Sequence, residues 1–267
     1  MLYVAPAQDG SGPWLWSLDT ERRESRRVSF GLERYTSISA SADGRRLVAT
    51  VANPTASLWR VPILDRVAED ADVSAFPLPT VRALAPRFAG STLFYLSSSG
   101  SGDGLWTYQS GQALEIWKGA DSPLREAPAV SRDGQRAAIV LRRDGRLRLY
   151  LVSADGAEVQ SVADEVDVQG AAEWSADGRW IVAGGTDSKG PGLFKIPVEG
   201  GAALRIADGL AFNPVWSPDG SLIVYAGPNV DARFPLLAVT PDGTPIQMPD
   251  VRVPYLGERV RFLPDGK

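Results

Sequence analysis

One short frame recurs along this chain and limits the folds open to it more than any other feature. An apolar or aromatic residue, then Ser-x-Asp-Gly, then a β-branched or aromatic run appears as Trp216-Ser217-Pro218-Asp219-Gly220 before Leu222-Ile223-Val224-Tyr225. It appears again as Trp174-Ser175-Ala176-Asp177-Gly178 before Trp180-Ile181-Val182. Val130-Ser131-Arg132-Asp133-Gly134, Ala40-Ser41-Ala42-Asp43-Gly44 and Phe262-Leu263-Pro264-Asp265-Gly266 keep the same register. The aspartates fall at 43, 133, 177, 219 and 265, at intervals of 90, 44, 42 and 46. The double first interval holds a degenerate copy, Pro86-Arg87-Phe88-Ala89-Gly90-Ser91, which aligns with Pro214 onward once its turn is shortened. A period of this length marks a repeat architecture in which each copy is one supersecondary unit.

Turn chemistry makes each copy a hairpin. Asp bonds its own downstream backbone amides and Gly takes the positive φ that the turn requires. Asp43, Gly44, Asp133, Gly134, Asp177, Gly178, Asp219, Gly220, Asp265 and Gly266 are therefore expected as structural turn residues. A second hairpin closes each repeat, as in Leu147 to Val152, the turn Ser153-Ala154-Asp155-Gly156, and Glu158 to Val162. Four strands per repeat make a propeller blade, because such a sheet is too small to stand alone and must pack on its neighbours. No window keeps a helical apolar period; Leu64 to Ala71 is the one candidate, read as a linker or single turn between the first two blades, with Pro77 and Pro79 soon after it.

The expected fold is all-β: a six-bladed β-propeller of four-stranded antiparallel blades over residues 1–267, with blades at 35–80, 81–124, 125–167, 168–210 and 211–257. The sixth blade is split, with 258–267 giving the innermost strand and turn and 1–34 the other three strands. Completing one blade from both ends removes open sheet edges. The competing reading is a piece of a longer protein whose next blade continues past Lys267, and both stay open at this point.

Composition excludes several chemistries. There is no His and no Cys, so a Ser-His-Asp triad, histidine-ligated metals, zinc-thiolate sites and disulfides are all out of reach. None of the four lysines, Lys118, Lys189, Lys195 and Lys267, sits in a Ser-x-x-Lys frame. A net charge of −4 argues against nucleic acid, which needs a concentrated basic face, and the cluster Arg22-Arg23 with Arg26-Arg27 is interrupted by Glu21 and Glu24. No window approaches the ~18 consecutive apolar residues of a membrane span. The loop Ser97 to Gly104 lacks the Lys and the helix of a phosphate cradle, and the eight Trp are read as packing between blades rather than as carbohydrate platforms.

Trp216 to Gly220 with Leu222 to Tyr225, and the partner segment from Trp174, resemble the WD40-like repeat of TolB-like six-bladed propellers. More narrowly, Tyr35-Thr36-Ser37 through Asn53-Pro54 with Leu58-Trp59, and Gly192 to Val198, are similar to the C-terminal propeller of some bacterial membrane-associated serine/threonine kinases. The first resemblance implies a periplasmic propeller binding partner proteins at one mouth. The second implies an extracytoplasmic sensor or interaction module of a signalling protein; no kinase motif stands in this chain.

The reading that follows is a non-catalytic module, expected as a monomer without a cofactor or metal, that takes a protein partner or small ligand at one face. Strand-start positions nominate Arg34, Tyr35, Glu126, Gln169, Asn213 and Arg259 as lining the channel mouth. The alternative is a propeller enzyme or peptidase-associated propeller with carboxylates at that mouth.

Overall fold

The computed structural model describes residues 1–5, 13–28, 34–41, 43, 46–52, 56–98, 102–119, 122, 124, 126–253 and 260–263, with the backbone alone for 34–36, 51 and 52. Two compact units divide the chain, one of residues 1–84 with 97–104 and 118–123, the other of 85–96, 105–117 and 124–267.

In the first unit, β1 (Leu2–Ala5), β2 (Trp14–Asp19) and β3 (Glu24–Arg27) form an antiparallel sheet in chain order. Trp14 and Leu15 of β2 are buried, and the Trp16 indole N–H donates to the Ala5 carbonyl at 2.9 Å. A hairpin of β4 (Arg34–Ala40) and β5 (Leu47–Ala52) turns through Asp43, and β6 (Leu58–Arg60) pairs with β7 (Ser74–Phe76). Sequence alone predicts the segment around Leu64–Ala71 between two blades; in the structure it belongs to the connection between β6 and β7. There the single 3-10 turn Asp70–Asp72 is pinned by Arg66, whose guanidinium forks onto Asp72 at 2.7 and 2.9 Å. The sequence carries no strand signal strong enough to announce so short a β7.

The second unit is built on four sheets, each with its strands in chain order: β8 (Leu84–Ala89) to β11 (Gln112–Trp117) through β9 (Thr92–Ser98) and β10 (Asp103–Gln109); β12 (Ala129–Val130), β13 (Arg136–Arg143), β14 (Arg146–Ser153) and β15 (Val159–Val162); β16 (Asp167–Trp174), β17 (Trp180–Asp187), β18 (Gly190–Pro197) and β19 (Leu204–Asp208); and β20 (Phe212–Trp216), β21 (Ile223–Ala226), β22 (Phe234–Val239) and β23 (Pro245–Ile246). A short β24 (Arg252–Val253) adds to the far end of β22. Four-stranded antiparallel sheets in this order are propeller blades.

Strand periodicity explains why the core lies between blades. In β13, Ala137, Ile139 and Leu141 face the cluster built on Phe94, Leu96 and Leu105, whereas Ala138 and Val140 face Ile181, Ala183, Phe194 and Ile196. In β17, Ile181 and Ala183 face back while Val182 joins Ile223 and Tyr225. Both faces of each middle strand are covered, so these strands read as unbroken apolar runs rather than as alternation. Each fully buried Ile or Leu contributes about 1.5–3 kcal/mol. Successive blades also approach closely: a Cβ on Gly184 of β17 would lie 1.8 Å from the Ala211 carbonyl oxygen.

Tryptophan packing follows the expectation only in part. Trp174 is 5% exposed and its indole N–H reaches the Ala129 carbonyl of the preceding blade at 3.1 Å, but Trp59 is 61% exposed. Most of the expected sixth-blade strand and turn at 258–267, namely 258–259 and 264–267, lies outside the described residues. Of what is described, Val260 and Phe262 pack on Val215, Val224 and Ala238.

Candidate functional site

The repeated aspartates are the most conspicuous carboxylates, and their geometry is that of turns. Ser131 Oγ donates to Asp133 Oδ1 at 2.6 Å, the Gln135 N–H donates to the same oxygen at 3.0 Å, and the Arg136 N–H donates back to Ser131 Oγ at 3.0 Å. Asp177 repeats this with Ser175 (2.6 Å) and the Arg179 N–H (3.1 Å), and Asp219 with Ser217 (2.6 Å) and the Ser221 N–H (3.0 Å). Asp43 is bonded by Ser41 in the same way. Gly134, Gly178 and Gly220 hold φ of +70°, +69° and +75°, as the turn demands. Gly44, Asp265 and Gly266 lie outside the described residues.

The serine hydroxyl and the turn amide hold the carboxyls of Asp177 and Asp219 down to about 2, and that of Asp133 below its usual value. Acids this strong have no proton to give near neutrality. The serine of the motif is the part that turn chemistry alone underrates. Ser131, Ser175 and Ser217 are buried, and each ties both strands of its hairpin together.

Five of the six residues expected at the channel mouth are described, two of them by their backbone alone. Arg34 and Tyr35 begin β4, with only their backbone described, and Arg259 lies outside the described residues. Glu126 precedes β12, is half-buried, and its carboxyl is pushed up by burial. Gln169 Nε2 donates to Thr186 Oγ1 of the adjacent strand at 3.4 Å. Asn213, at φ +47°, accepts the Ala171 N–H on Oδ1 at 2.8 Å, bracing one first strand against the next. Both β16 and β20 are bulged near these residues, between Gln169 and Glu173 and between Phe212 and Val215. Bulges leave backbone groups without ladder partners, and Asn213 Oδ1 serves that local need by accepting the Ala171 N–H.

A different set of charges does assemble. Arg261 Nη1 donates to Glu173 Oε2 across 88 residues of chain, and the Arg87 guanidinium feels both charges. Burial, reinforced by Arg261 and opposed by Glu173, pulls the Arg87 side chain down to about 10. Each of the three stands immediately before the aromatic residue of its repeat: Arg87-Phe88, Glu173-Trp174 and Arg261-Phe262. At the equivalent place the other repeats of this unit carry Ala129 and Val215, both buried. Glu173 and Arg87 lie on first strands, and the first strands β12, β16 and β20 run beside one another. Attention to strand starts misses this set. Comparing one column of the repeat alignment, where charge replaces Ala and Val three times, would have found it.

Among the described residues no group of three or more His, Cys, Asp or Glu could hold a metal ion, and no helix is long and apolar enough to cross a membrane.

Residues 118–244 match the family model described as the TolB beta propeller domain. A solved structure described as TolB from Agrobacterium tumefaciens is 19% identical, with 85% of this chain and 84% of that chain covered and a TM-score of 0.57. TolB from Acinetobacter baumannii is 14% identical, with 90% and 65% covered and a TM-score of 0.51. A structure from an analysis of two prolyl endopeptidases is 13% identical, with 92% of this chain but 40% of that chain covered and a TM-score of 0.50. No curated protein sequence matches the chain. The fold is a β-propeller. Its resemblance is to the TolB-like propellers, and at these identities it concerns architecture.

Proposed function

We propose that this chain is a non-catalytic β-propeller module that binds a protein partner or a small ligand at the ends of its first strands, in the manner of a sensor or interaction domain. The observation that carries the reading is the division of its carboxylates. Those of the repeat are consumed in their own turns, and in the described contacts Glu173 pairs with Arg261 and interacts with the charge of Arg87. Hydrolysis by paired carboxylates needs two in unlike environments. Two guanidinium groups beside one carboxylate suit recognition instead.

The particular role we favour is the sensing part of a bacterial signalling protein, on the resemblance of Tyr35 to Trp59 and Gly192 to Val198 to the propellers of membrane-associated serine/threonine kinases. An extracytoplasmic location follows from the same resemblance. Neighbouring coding sequence tests this role: a kinase domain and membrane span upstream support it, and a signal peptide with a small α/β domain favours a TolB-type role. The non-catalytic reading is tested by incubating the purified chain with chromogenic peptide and glycoside substrates. The expected result is no turnover above buffer; turnover that disappears in Glu173→Gln would replace the reading with an enzyme.

A further inference from the structure

The connection between β6 and β7 departs from its counterparts in length and in surface. It takes residues 61–73, whereas the connections from β10 to β11, β14 to β15, β18 to β19 and β22 to β23 take 110–111, 154–158, 198–203 and 240–244. We propose that this connection, with Trp59 at its base, is a docking surface for a partner protein that presents apolar side chains flanked by Lys or Arg. The surface is made of residues other than the first-strand ends and does not depend on what those ends bind.

The first argument is exposure. Trp59, Val61, Ile63, Leu64 and Val67 are 61%, 59%, 77%, 41% and 87% exposed, while none of the four counterpart connections holds an exposed large apolar side chain. Single apolar residues scattered over a surface need no explanation, but a concentration of them in one long connection marks an interaction site. The second is order. Arg66 Nη1 donates to the Val67 carbonyl at 2.9 Å, the guanidinium forks onto Asp72, and the Glu69 N–H donates to Asp72 Oδ2 at 2.8 Å. These bonds tie 66–72 together and leave the Val67 side chain in solvent, so docking has less conformational freedom to remove. The third is charge. Within 61–73, Asp65, Glu69, Asp70 and Asp72 stand against Arg66 alone, and Arg66 is paired with Asp72. Asp65, Glu69 and Asp70 are exposed. Two copies meeting through this surface would set acid against acid, in a chain of net charge −4, and anionic lipid headgroups would be repelled in the same way. A partner with an apolar centre and a basic rim answers both features.

Binding to the full chain is measured by fluorescence anisotropy with a labelled peptide of alternating Leu and Lys, capped at both ends. Peptides of alternating Leu and Glu and of alternating Ser and Lys control for apolarity and for charge alone. The Leu-Lys peptide is expected to bind saturably and both controls to bind more weakly by about tenfold or more. Ile63→Ser combined with Val67→Ser weakens binding by about tenfold or more, the effect of withholding two apolar side chains from a contact. Asp65→Asn combined with Asp70→Asn weakens it at low salt and flattens its fall with added sodium chloride. Val159→Ser, at a 46% exposed position of β15, leaves it unchanged.

Because the substituted side chains are exposed, each variant should unfold at the temperature of the native chain. A lowered Tm for Ile63→Ser with Val67→Ser would mean that the protein itself packs these side chains, and the proposal would fall. It is equally overturned by absence of saturable binding, by equal binding of either control peptide, or by affinity unchanged in that double variant. Two other results would replace the partner. Co-sedimentation of the native chain with phosphatidylcholine vesicles, lost in the double variant, would assign the surface to lipid. A dimer found by light scattering and dissolved by the same substitutions would assign it to a second copy of the chain.

Discussion

Replacing Ser175 by alanine tests the physical account of the repeat most directly. Ser175 is 5% exposed, its hydroxyl donates to Asp177 Oδ1 at 2.6 Å, and it accepts the Trp180 N–H at 3.0 Å. The substitution removes one bond to a charged group and leaves a backbone donor at the start of β17 without its partner. A hydrogen bond to a charged group is worth about 1.5–3 kcal/mol, and an unsatisfied buried donor costs about 1–3. Because the turn is partly wetted, the two do not add in full, and we expect a loss of about 2 kcal/mol. For a domain of this size that is a fall in Tm of about 4–8 °C.

The pH dependence has a definite sign. The folded carboxyl of Asp177 lies at about 2, below its ordinary 3.8, so the stability it brings is present above pH 3.8 and is lost as pH falls through about 2. Urea unfolding of native and Ser175→Ala chains should therefore differ by a constant amount above about pH 5 and converge toward pH 2. An unchanged urea midpoint at pH 7, or a difference that widens on acidification, would refute the reasoning. Ser217→Ala, at the equivalent place in the next blade, should behave alike.

Three further outcomes follow from the same geometry. Gly184→Ala drives a Cβ to 1.8 Å from the Ala211 carbonyl oxygen and should cost more than about 3 kcal/mol, whereas Gly178→Ala, at φ +69° with nothing within 4 Å, should cost about 1 kcal/mol; chemical denaturation ranks them. Arg66→Ala releases Asp72 from its fork and should speed amide exchange over residues 67–73 while leaving the global unfolding midpoint almost unchanged, because the pair lies at the surface. Deleting Leu2–Phe30 should abolish cooperative unfolding if residues 1–34 complete a split blade with 258–267; an unchanged transition rules that blade out.

The repeat turn was legible because everything that makes it is local. Ser131, Asp133, Gly134 and Arg136 satisfy one another within five residues, so the pattern of residue types is the structure. The middle strands were legible for a related reason: runs such as Ala137–Leu141 are apolar at every position because both faces are covered. The serine's part was visible in the motif but its burial was not. Asn213 shows the opposite case. Its left-handed φ and the bond from the Ala171 N–H to its Oδ1 depend on how two blades meet, which no local pattern announces. The short β7 and its long approach from β6 gave no periodic signal at all.

By itself, then, the sequence determined a β-propeller of four-stranded blades and assigned its repeated aspartates to turns, because those features rest on contacts between residues close in the chain. Only the tertiary structure decided where the remaining charge gathers. Glu173 and Arg261 are 88 residues apart, and Arg87 comes from a third repeat. The Arg261–Glu173 pair depends on how segments far apart in the chain pack together, which no contact between residues close in the chain announces.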